Sequence, residues 1–392
     1  MRIIVHDYSG HPFQIQLSRE LANRGHDVLH LYSASFQTPQ GALVKRADDP
    51  AGFAIEGVKL PSEFKKDSYV ARLFQEMDYG RMVAERIRAY KPDIVLSGNT
   101  PLDAQDRIQK SAVAVGARFY FWLQDIYSEA IYRFLSKKMM GVGQIVGLRY
   151  KALEYSLLSK SDGVVAITDD FASILQARGV AMSKINVIEN WAPLDELQPV
   201  ANDNDWASAN MREGKVKIVY SGTLGLKHNP DLLLELARHL EGAHVYVFSE
   251  GKAADYLKNE AKTQNIANLS VRPWVPFQDL VKMLSGADLF VAMIEEEAGI
   301  FCVPSKVLTY FSVGRPILAA IPHGNLARRM IEREQAGLVA NPGSIEDIIA
   351  KARELLDDGE LRRKMGQNGR HYAQHTFDIQ AITDKFQTAM GL

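Results

Sequence analysis

Apolar and polar positions alternate with two different periods along the first half of the chain. Residues Ile3–Val5 form a short apolar run, and the next segment, Pro12–Arg24, carries Phe13, Leu17 and Leu21 four residues apart, as on one face of a helix. Strands and amphipathic helices in alternation are typical of a parallel sheet with helical connections. Further strands are predicted at Asp27–Tyr32, Asp93–Ser97, Arg118–Leu123, Gly163–Thr168 and Ile185–Ile188.

A polar stretch interrupts this pattern at residues 193–214, which are poor in branched aliphatic residues and contain Pro193, Pro199 and Gly214. Such a composition predicts a linker. The alternation then resumes with a strand at Val216–Ser221. The later predicted strands are Val245–Phe248, Asn268–Val271, Asp288–Met293 and Ile317–Ala320, and the predicted helices include Asp231–Leu240, Ala253–Gln264 and Lys306–Val313. The sequence therefore predicts an α/β protein with two doubly wound sheets, whose ligands bind beyond the carboxyl ends of the strands.

Length and composition fit this division. The 392 residues are enough for two domains of ~100–200 residues each, which we place at residues 1–192 and 215–371. Apolar residues make up 46% of the chain and charged residues 24%, which excludes a largely disordered protein. The 46 basic and 47 acidic residues nearly cancel. The charge balance therefore gives no indication of nucleic-acid binding.

The single cysteine, Cys302, excludes an intrachain disulfide and a cysteine-based metal site. The first ten residues, MRIIVHDYSG, predict a strand and lack the basic and apolar regions of a signal peptide. No apolar run approaches the ~20 residues that span a bilayer. We therefore expect a cytoplasmic protein.

The first strand-to-helix junction, Tyr8–Pro12, contains one glycine, Gly10, which would allow the backbone to approach a ligand closely. Pro12 suits the first turn of the following helix. A dinucleotide-binding fingerprint would need three glycines here. A plain tight turn is therefore the alternative interpretation of this junction.

The second junction, Tyr220–Pro230, combines Gly222 with Lys227 just before a predicted helix start at Asn229-Pro230. Free amides, the positive end of the helix dipole and a lysine together can bind a diphosphate. The alternative is a lysine on an exposed loop.

The third junction, Gly299–Lys306, places Ser305 at a predicted N-cap and Lys306 in the first turn of a helix. A cation there is unfavourable to the helix dipole, and a bound anion would remove the conflict. The alternative is a lysine whose stem packs against the sheet while its ammonium group stays solvated.

Carboxylates offer weaker candidates. Asp125 and Glu129 follow a buried strand of the first domain, and Asp125 is the best candidate there, with a helix N-cap as its alternative role. Asp203 and Asp205 have the spacing of a metal-binding aspartate pair, but they lie in the predicted linker. The histidines have no zinc-ligand spacing. We therefore expect no metal site.

Taken together, these residues make the chain resemble glycosyltransferase family 4 over essentially its whole length. The resemblance is greatest to the branch that builds bacterial exopolysaccharide and O-antigen, with its fucosaminyl- and mannosyl-type transferases. The matching stretches are Leu17–Val28, Ser161–Thr168, Ile185–Trp191, Tyr220–Asn229, Gly286–Val291 and Pro304–Pro316. The resemblance implies the GT-B fold, in which two facing Rossmann-like domains form a central cleft. It also implies that the first domain binds the acceptor, that the second binds a nucleotide sugar, and that a final helix, residues 372–392, crosses back to the first domain.

Carried over by position, the resemblance makes Gly10 a close backbone contact of the donor diphosphate, which Lys227 and the helix start at Ser305 and Lys306 also bind. Thr309 takes the place of a family glutamate that binds ribose hydroxyls. Two other positions depart from the family pattern, with Phe301 in place of the preceding glutamate and Thr223 in place of an arginine after Gly222. The acceptor-side residues are then His11, Glu129 and Asp125, of which Asp125 positions or polarises the acceptor hydroxyl.

The function implied is retaining transfer of a hexose-type sugar from a nucleoside-diphosphate sugar to a glycan or polyprenyl-diphosphate-linked glycan, in bacterial exopolysaccharide or lipopolysaccharide biosynthesis. Lys227 and Lys306 would supply positive charge to the leaving diphosphate without a cofactor. Two alternatives stay open: a sugar-nucleotide epimerase of the same fold, and a non-catalytic sugar-nucleotide-binding protein. An epimerase would need a cluster of acid and base side chains around the sugar, and none is evident.

One further stretch bears on location. Residues 133–160 contain six basic residues, among them Lys137 and Lys138, and a single acid, Glu154, with apolar residues interleaved. This pattern predicts either a peripheral contact with the inner face of the cytoplasmic membrane or an ordinary amphipathic helix packed on the sheet.

Overall fold

A computed structural model describes residues 1–35, 40–65, 68–138, 141–225, 228–296, 299 and 301–392. The chain forms two compact units, one of residues 1–190 with 379–392 and one of residues 191–378. Each unit is built on a parallel sheet with helices between its strands. The predicted fold class, two Rossmann-like α/β domains, is confirmed.

The first unit contains a seven-stranded parallel sheet in the order β3-β2-β1-β4-β5-β6-β7. Its strands are β1 Arg2–Asp7, β2 Asp27–Ser33, β3 Phe53–Val58, β4 Ile94–Gly98, β5 Arg118–Leu123, β6 Gly163–Ala166 and β7 Ile185–Val187. Its helices are α1 Pro12–Asn23, α2 Tyr69–Tyr90, α3 Leu102–Ala114, α4 Tyr127–Lys138, α5 Val142–Lys160 and α6 Asp169–Ala177, with a 3₁₀ turn at Met182–Lys184. The central strands β1, β4 and β5 are largely buried and mostly apolar because helices cover both faces of the sheet.

The second unit contains a six-stranded parallel sheet in the order β10-β9-β8-β11-β12-β13. Its helices begin with α7 Asp205–Asn210, and its first strands are β8 Val216–Ser221, β9 Ala243–Phe248 and β10 Leu269–Arg272, separated by α8 Asp231–His239 and α9 Lys252–Thr263. The elements that follow are α10 Phe277–Ser285, β11 Leu289–Met293, α11 Lys306–Val313, β12 Ile317–Ala320, α12 Leu326–Arg333, β13 Gly337–Ala340, α13 Ile345–Asp357 and α14 Gly359–Thr376.

The segment expected to be a linker, residues 193–214, packs on the second unit. Leu197, Ala207 and Met211 are buried, and the backbone N–H of Val200 donates to the hydroxyl of Ser285 at 3.0 Å. A sequence rich in polar residues packs here because its few apolar side chains are buried, with Ala207 and Met211 against Gly286 at the end of α10.

The last helix, α15 Ile379–Met390, belongs to the first unit. Phe386 contacts Trp122 at 4.7 Å between ring centroids, and Arg24 forms an ion pair with Asp384 at 2.5 Å. Tyr372, where the sequence led us to begin the returning segment, lies in α14 of the second unit, so the chain changes units seven residues later. Across the described residues, each helix is too short or too polar to cross a bilayer.

Candidate functional site

Both sheets have a topological switch point at their first strand. In the second unit, β8 lies between β9 and β11, so the connections on either side of β8 leave in opposite directions. Parallel sheets bind ligands at the carboxyl ends of strands at such a point. In this unit, that end of β8 is Ser221, followed by Gly222.

Lys306 lies over this strand end. Its ammonium group donates to the hydroxyl of Tyr220 at 2.5 Å and lies 3.8 Å from the centre of the Tyr220 ring. A side chain added at Gly222 would place its Cβ 3.7 Å from Nζ of Lys306, and Gly222 has a φ of +126°, which favours glycine. The strand end and the first turn of α11 therefore place a half-buried cation directly above an open backbone.

Tyr220 is held as a neutral phenol. Burial raises the pKa of its hydroxyl well above the usual range, and the hydroxyl donates to the carbonyl of Thr223 at 2.9 Å. Because its proton is used in that bond, the phenol oxygen of Tyr220 accepts from the ammonium group of Lys306. Sequence reasoning missed this contact because the two residues are 86 positions apart.

Tyr310 fixes α11 to the sheet. Its hydroxyl accepts from the backbone N–H of Ser221 at 3.2 Å, and its ring stacks on Phe290 at 3.9 Å. Thr309, the neighbouring residue, is half-buried and lies in the same first turns of α11. The position of Lys306 over Gly222 is therefore set by a buried aromatic contact one turn along the helix.

Ser305 directly precedes α11, as predicted for an N-cap, but it lacks the backbone geometry and the hydrogen bond of one. Ser305 already has helical backbone angles, φ −56° and ψ −24°, and its side chain makes no capping hydrogen bond. The reason is that the turn begins one residue earlier, where the carbonyl of Pro304 accepts from the backbone N–H of Val307 at 3.1 Å. The hydroxyl of Ser305 is exposed at the helix start.

Lys227 lies outside the described residues. On either side of it, Gly225 donates its backbone N–H to Nδ1 of His228 at 2.9 Å, and the side chain of Asn229 accepts from the backbone N–H of Asp231 at 3.0 Å. The predicted helix start at Asn229-Pro230 therefore agrees with the observed start of α8 at Asp231.

Asn325 connects the β11–α11 loop to the next helix, and sequence reasoning missed it. Its buried amide nitrogen donates to the carbonyls of Gly299 and Cys302, the latter at 2.8 Å. Its amide oxygen accepts from the backbone N–H of Ala327 at 2.9 Å, which caps α12. One side chain thus holds the loop that leads to Lys306.

In the first unit, the turn after β1 is organised by Asp7, which sequence reasoning also missed. Its buried carboxylate accepts from the backbone N–H groups of Ser9, at 3.0 Å, and His11. Gly10 between them has a φ of +76°, and a Cβ there would lie 2.7 Å from Leu43. Gly10 is therefore required by the conformation and by the space available. A carboxylate directly before a glycine turn is the signal that could have identified Asp7.

Asp125 is half-buried and follows the end of β5. Burial raises the pKa of the Tyr127 hydroxyl, and the charges of Asp125 and Asp7 raise it further, which places both carboxylates within electrostatic reach of one neutral phenol. His11 is half-buried and packs edge-on against Phe13 at 5.4 Å.

The capping alternative for Asp125 is filled by another residue. Glu154 of α5 accepts from the backbone N–H groups of Tyr127 and Ser128 at 3.1 and 3.2 Å, and Glu129 donates its own to the Ile126 carbonyl. Burial raises the pKa of Glu154 to about 7. The first three backbone N–H groups of α4 therefore each have an acceptor other than Asp125.

Glu129 forms ion pairs within the first unit. Its buried carboxylate lies 2.9 Å from Nζ of Lys151 and 3.6 Å from the guanidinium of Arg178. These ion pairs join α4 to α5 and to the residue that ends α6.

The aspartate pair of the predicted linker lies away from the strand ends that carry Gly222. Asp203 and Asp205 flank Asn204, which caps α7 and donates to the carbonyl of Lys282 at 3.0 Å, on the amino-terminal side of β11. Within the described ranges, no group of three or more His, Cys, Asp or Glu side chains could hold a metal ion.

Two family models match the chain. Residues 14–191 match a "glycosyl transferase 4-like domain", and residues 202–372 match "glycosyl transferases group 1". A curated relative, the sulfoquinovosyl transferase SQD2 of Arabidopsis thaliana, is 25% identical over 182 residues. That match covers 46% of this chain and 34% of the relative, so the chain spans about a third of the relative's length.

Solved structures match over the whole chain. HepE from Anabaena in complex with UDP-glucose has a TM-score of 0.74 at 15% identity and covers 100% of both chains. Sucrose-phosphate synthase from Thermosynechococcus elongatus has a TM-score of 0.74 at 14% identity and covers 99% of this chain and 98% of its own. At such low identity these structures support the fold alone.

Proposed function

We propose that this chain, which is a glycosyltransferase with the GT-B fold, transfers a hexose-type sugar from a nucleoside-diphosphate sugar to a glycan or lipid-linked glycan, with retention of configuration. The observation that carries the proposal is the ammonium group of Lys306 above Gly222 at the carboxyl end of β8. The complex of HepE with UDP-glucose supports a nucleotide-sugar donor. We place the reaction in bacterial surface polysaccharide biosynthesis.

The proposed catalysis depends on stabilising the negative charge that develops on the leaving diphosphate. As the bond from the sugar to the diphosphate breaks, negative charge grows on the departing phosphate oxygen, and a fixed cation lowers the energy of that state. Lys306 is already positioned by Tyr220, so little reorganisation is needed. The backbone at Gly222 leaves room for the phosphate groups, and Lys227 is proposed to contribute a second cation.

On the acceptor side, we assign Asp125 the role of orienting the attacking hydroxyl. His11 lies in the turn that Asp7 holds and is proposed as a second acceptor-side residue, while Gly10 of the same turn is proposed as a backbone contact of the donor diphosphate. The departing phosphate oxygen takes the acceptor proton, so no protein nucleophile is required.

The proposal is tested by incubating the protein with a panel of nucleotide sugars and acceptor glycans. We expect release of nucleoside diphosphate together with a glycosylated product from at least one donor. A sugar-nucleotide isomer without nucleoside diphosphate would indicate an epimerase, and binding without turnover of any donor would indicate a sugar-nucleotide-binding protein.

Turnover is expected to continue at an unchanged rate after exhaustive treatment with a chelator. Lysine side chains and helix amides can neutralise the diphosphate, and Asp203 and Asp205 lie on the amino-terminal side of the sheet. The measurement is the initial rate with and without chelator. A rate that disappears with chelator and returns with magnesium or manganese would contradict this expectation.

Replacing Asn325 with aspartate is expected to lower kcat/KM about tenfold, the scale of one lost buried hydrogen-bond pair. The carboxylate can still cap α12, but it faces the carbonyls of Gly299 and Cys302 without a donor. The matched control is Asn268→Asp. Asn268 donates its amide to the carbonyls of Ala237 and Ala243 at 2.7 and 3.2 Å, next to the amino end of β10.

Both substitutions should lower the thermal unfolding midpoint, and only Asn325→Asp should change donor kinetics. Equal kinetic effects in the two variants would mean that Asn325 acts on overall stability alone.

A further inference from the structure

The first two turns of helix α5 bury small residues and expose large ones, the reverse of an ordinary surface helix. Gly143 and Gly147 are buried, and a Cβ at Gly147 would lie 2.8 Å from Cα of Tyr132 in α4. Large apolar side chains lie on the other side of α5: Val142 is 57% exposed, Ile145 70% and Leu148 56%. The amphipathic alternative from the sequence, with these residues packed on the sheet, is therefore wrong.

The exposed apolar stripe, defined as Val142, Ile145 and Leu148, is continuous. Positions three apart lie next to each other on a helix, so the three side chains form one ridge. Soluble proteins seldom expose apolar residues in contiguous groups without a partner. The glycines on the opposite side allow α5 to approach α4 closely, which leaves the ridge as the outermost part of the helix pair.

The exposed charged side chains of α4 and α5, in the described part of the chain, are all basic. Arg149 is exposed on α5, and Arg133 and Lys137 are exposed on α4. Glu154 is the single acid between Ala130 and Ser161, and it is buried. The exposed surface of this helix pair therefore presents apolar and cationic side chains together.

We propose that the stripe on α5 and the cations beside it form a surface that binds an anionic lipid bilayer. Apolar side chains can enter the boundary between headgroups and acyl chains, while arginine and lysine contact the phosphates. A second copy of the chain fits less well, because a twofold interface would bring the same cations against one another. The proposal extends the proposed function, since a bilayer-bound transferase meets lipid-linked acceptors, but its test requires no turnover.

The test is flotation of the full chain with vesicles of phosphatidylglycerol and phosphatidylethanolamine, compared with neutral phosphatidylcholine vesicles. We expect the protein to float with the anionic vesicles at low salt, and to float less as salt is added. Wild-type protein that stays at the bottom of the gradient at low salt would overturn the proposal.

Two double variants test the cationic and the apolar side chains of the surface separately. Lys137→Glu/Arg149→Glu should lower the partition coefficient at least about tenfold, because each cation near an anionic leaflet contributes to binding. Ile145→Ser/Leu148→Ser should abolish the fraction that stays bound at high salt. The matched control for charge is Lys258→Glu/Lys262→Glu, which reverses two exposed cations on α9 of the second unit.

Unfolding midpoints close to that of the wild type would show that the variants are folded. An equal loss of flotation in the α9 control would overturn the assignment to α4 and α5. A wild-type dimer in sedimentation that Ile145→Ser/Leu148→Ser converts to monomer, without any flotation, would make the stripe a self-association surface instead. Nucleotide-sugar turnover, measured separately, distinguishes failure of this proposal from failure of the proposed function.

Discussion

Lys306→Met is expected to lower kcat about 10²–10³-fold, the scale of losing one charge contact to a transition state. The ammonium group is half-buried against Tyr220, where a charge interaction is less screened than in water. Because the charge on the departing phosphate grows as the bond breaks, kcat and kcat/KM should fall together. The measurement is steady-state kinetics with the donor identified from the nucleotide-sugar panel.

Folding should be little affected by this change. Methionine keeps most of the apolar stem of lysine, and the cation–π contact with Tyr220 is worth about 0.5–1 kcal/mol. A change in the unfolding midpoint of more than about 4 °C would therefore point to a structural role. Near-normal turnover with a normal midpoint would remove Lys306 from the site.

Tyr220→Phe provides the matched control. The ring remains beneath the ammonium group, while the hydroxyl that accepts from Lys306 and donates to Thr223 is removed. We expect a loss in kcat clearly smaller than that of Lys306→Met, because the cation stays in place but is held less firmly. A larger loss would mean that the phenol, rather than the ammonium group, contacts the reacting groups.

The strands predicted from sequence are those with the simplest physical signal. β1 and β11 are covered on both faces and contain the uninterrupted apolar runs Ile3–Val5 and Leu289–Met293, and both strands were predicted. β3, Phe53–Val58, was missed because it is an edge strand with partly exposed positions and the mixed sequence FAIEGV. Residues 193–214 were expected to form a linker but pack on the second unit, because polar composition does not show whether a few apolar side chains will be buried.

The candidate site also contains some residues that could be predicted from local sequence and some contacts that could not. Gly222 and Lys306 could be selected because a strand, a glycine and a helix start are local features of the sequence. The contacts that give Lys306 its position come from Tyr220 and Asn325, and they depend on how distant segments meet in the fold. Glu154 of α5 is a similar case, because it accepts from the backbone N–H of Tyr127 at the start of α4, 27 residues earlier in the chain.

The second large effect is expected from Lys227→Ala, which should also lower turnover about 10²–10³-fold while leaving the unfolding midpoint unchanged. The prediction rests on sequence position, two residues before Asn229 and the start of α8, where the free amides and the dipole of a helix favour a bound phosphate. Lys227→Arg is the matched variant, since it keeps the charge but changes the donor geometry, and it should retain more activity than alanine. Normal turnover in the alanine variant, with a normal unfolding midpoint, would exclude Lys227.

Combining Lys227→Ala with Lys306→Met tests whether the two lysines act on the same diphosphate. Side chains that bind one group in one transition state are coupled, so the loss in the double variant should differ from the product of the two single losses. Independent effects that simply multiply would place the lysines on separate parts of the donor. The cycle can be measured by product release and by direct binding of nucleoside diphosphate, which needs no catalysis. Coupling in turnover without coupling in binding would show that the two charges cooperate only as the sugar departs, which is what stabilisation of the leaving group requires.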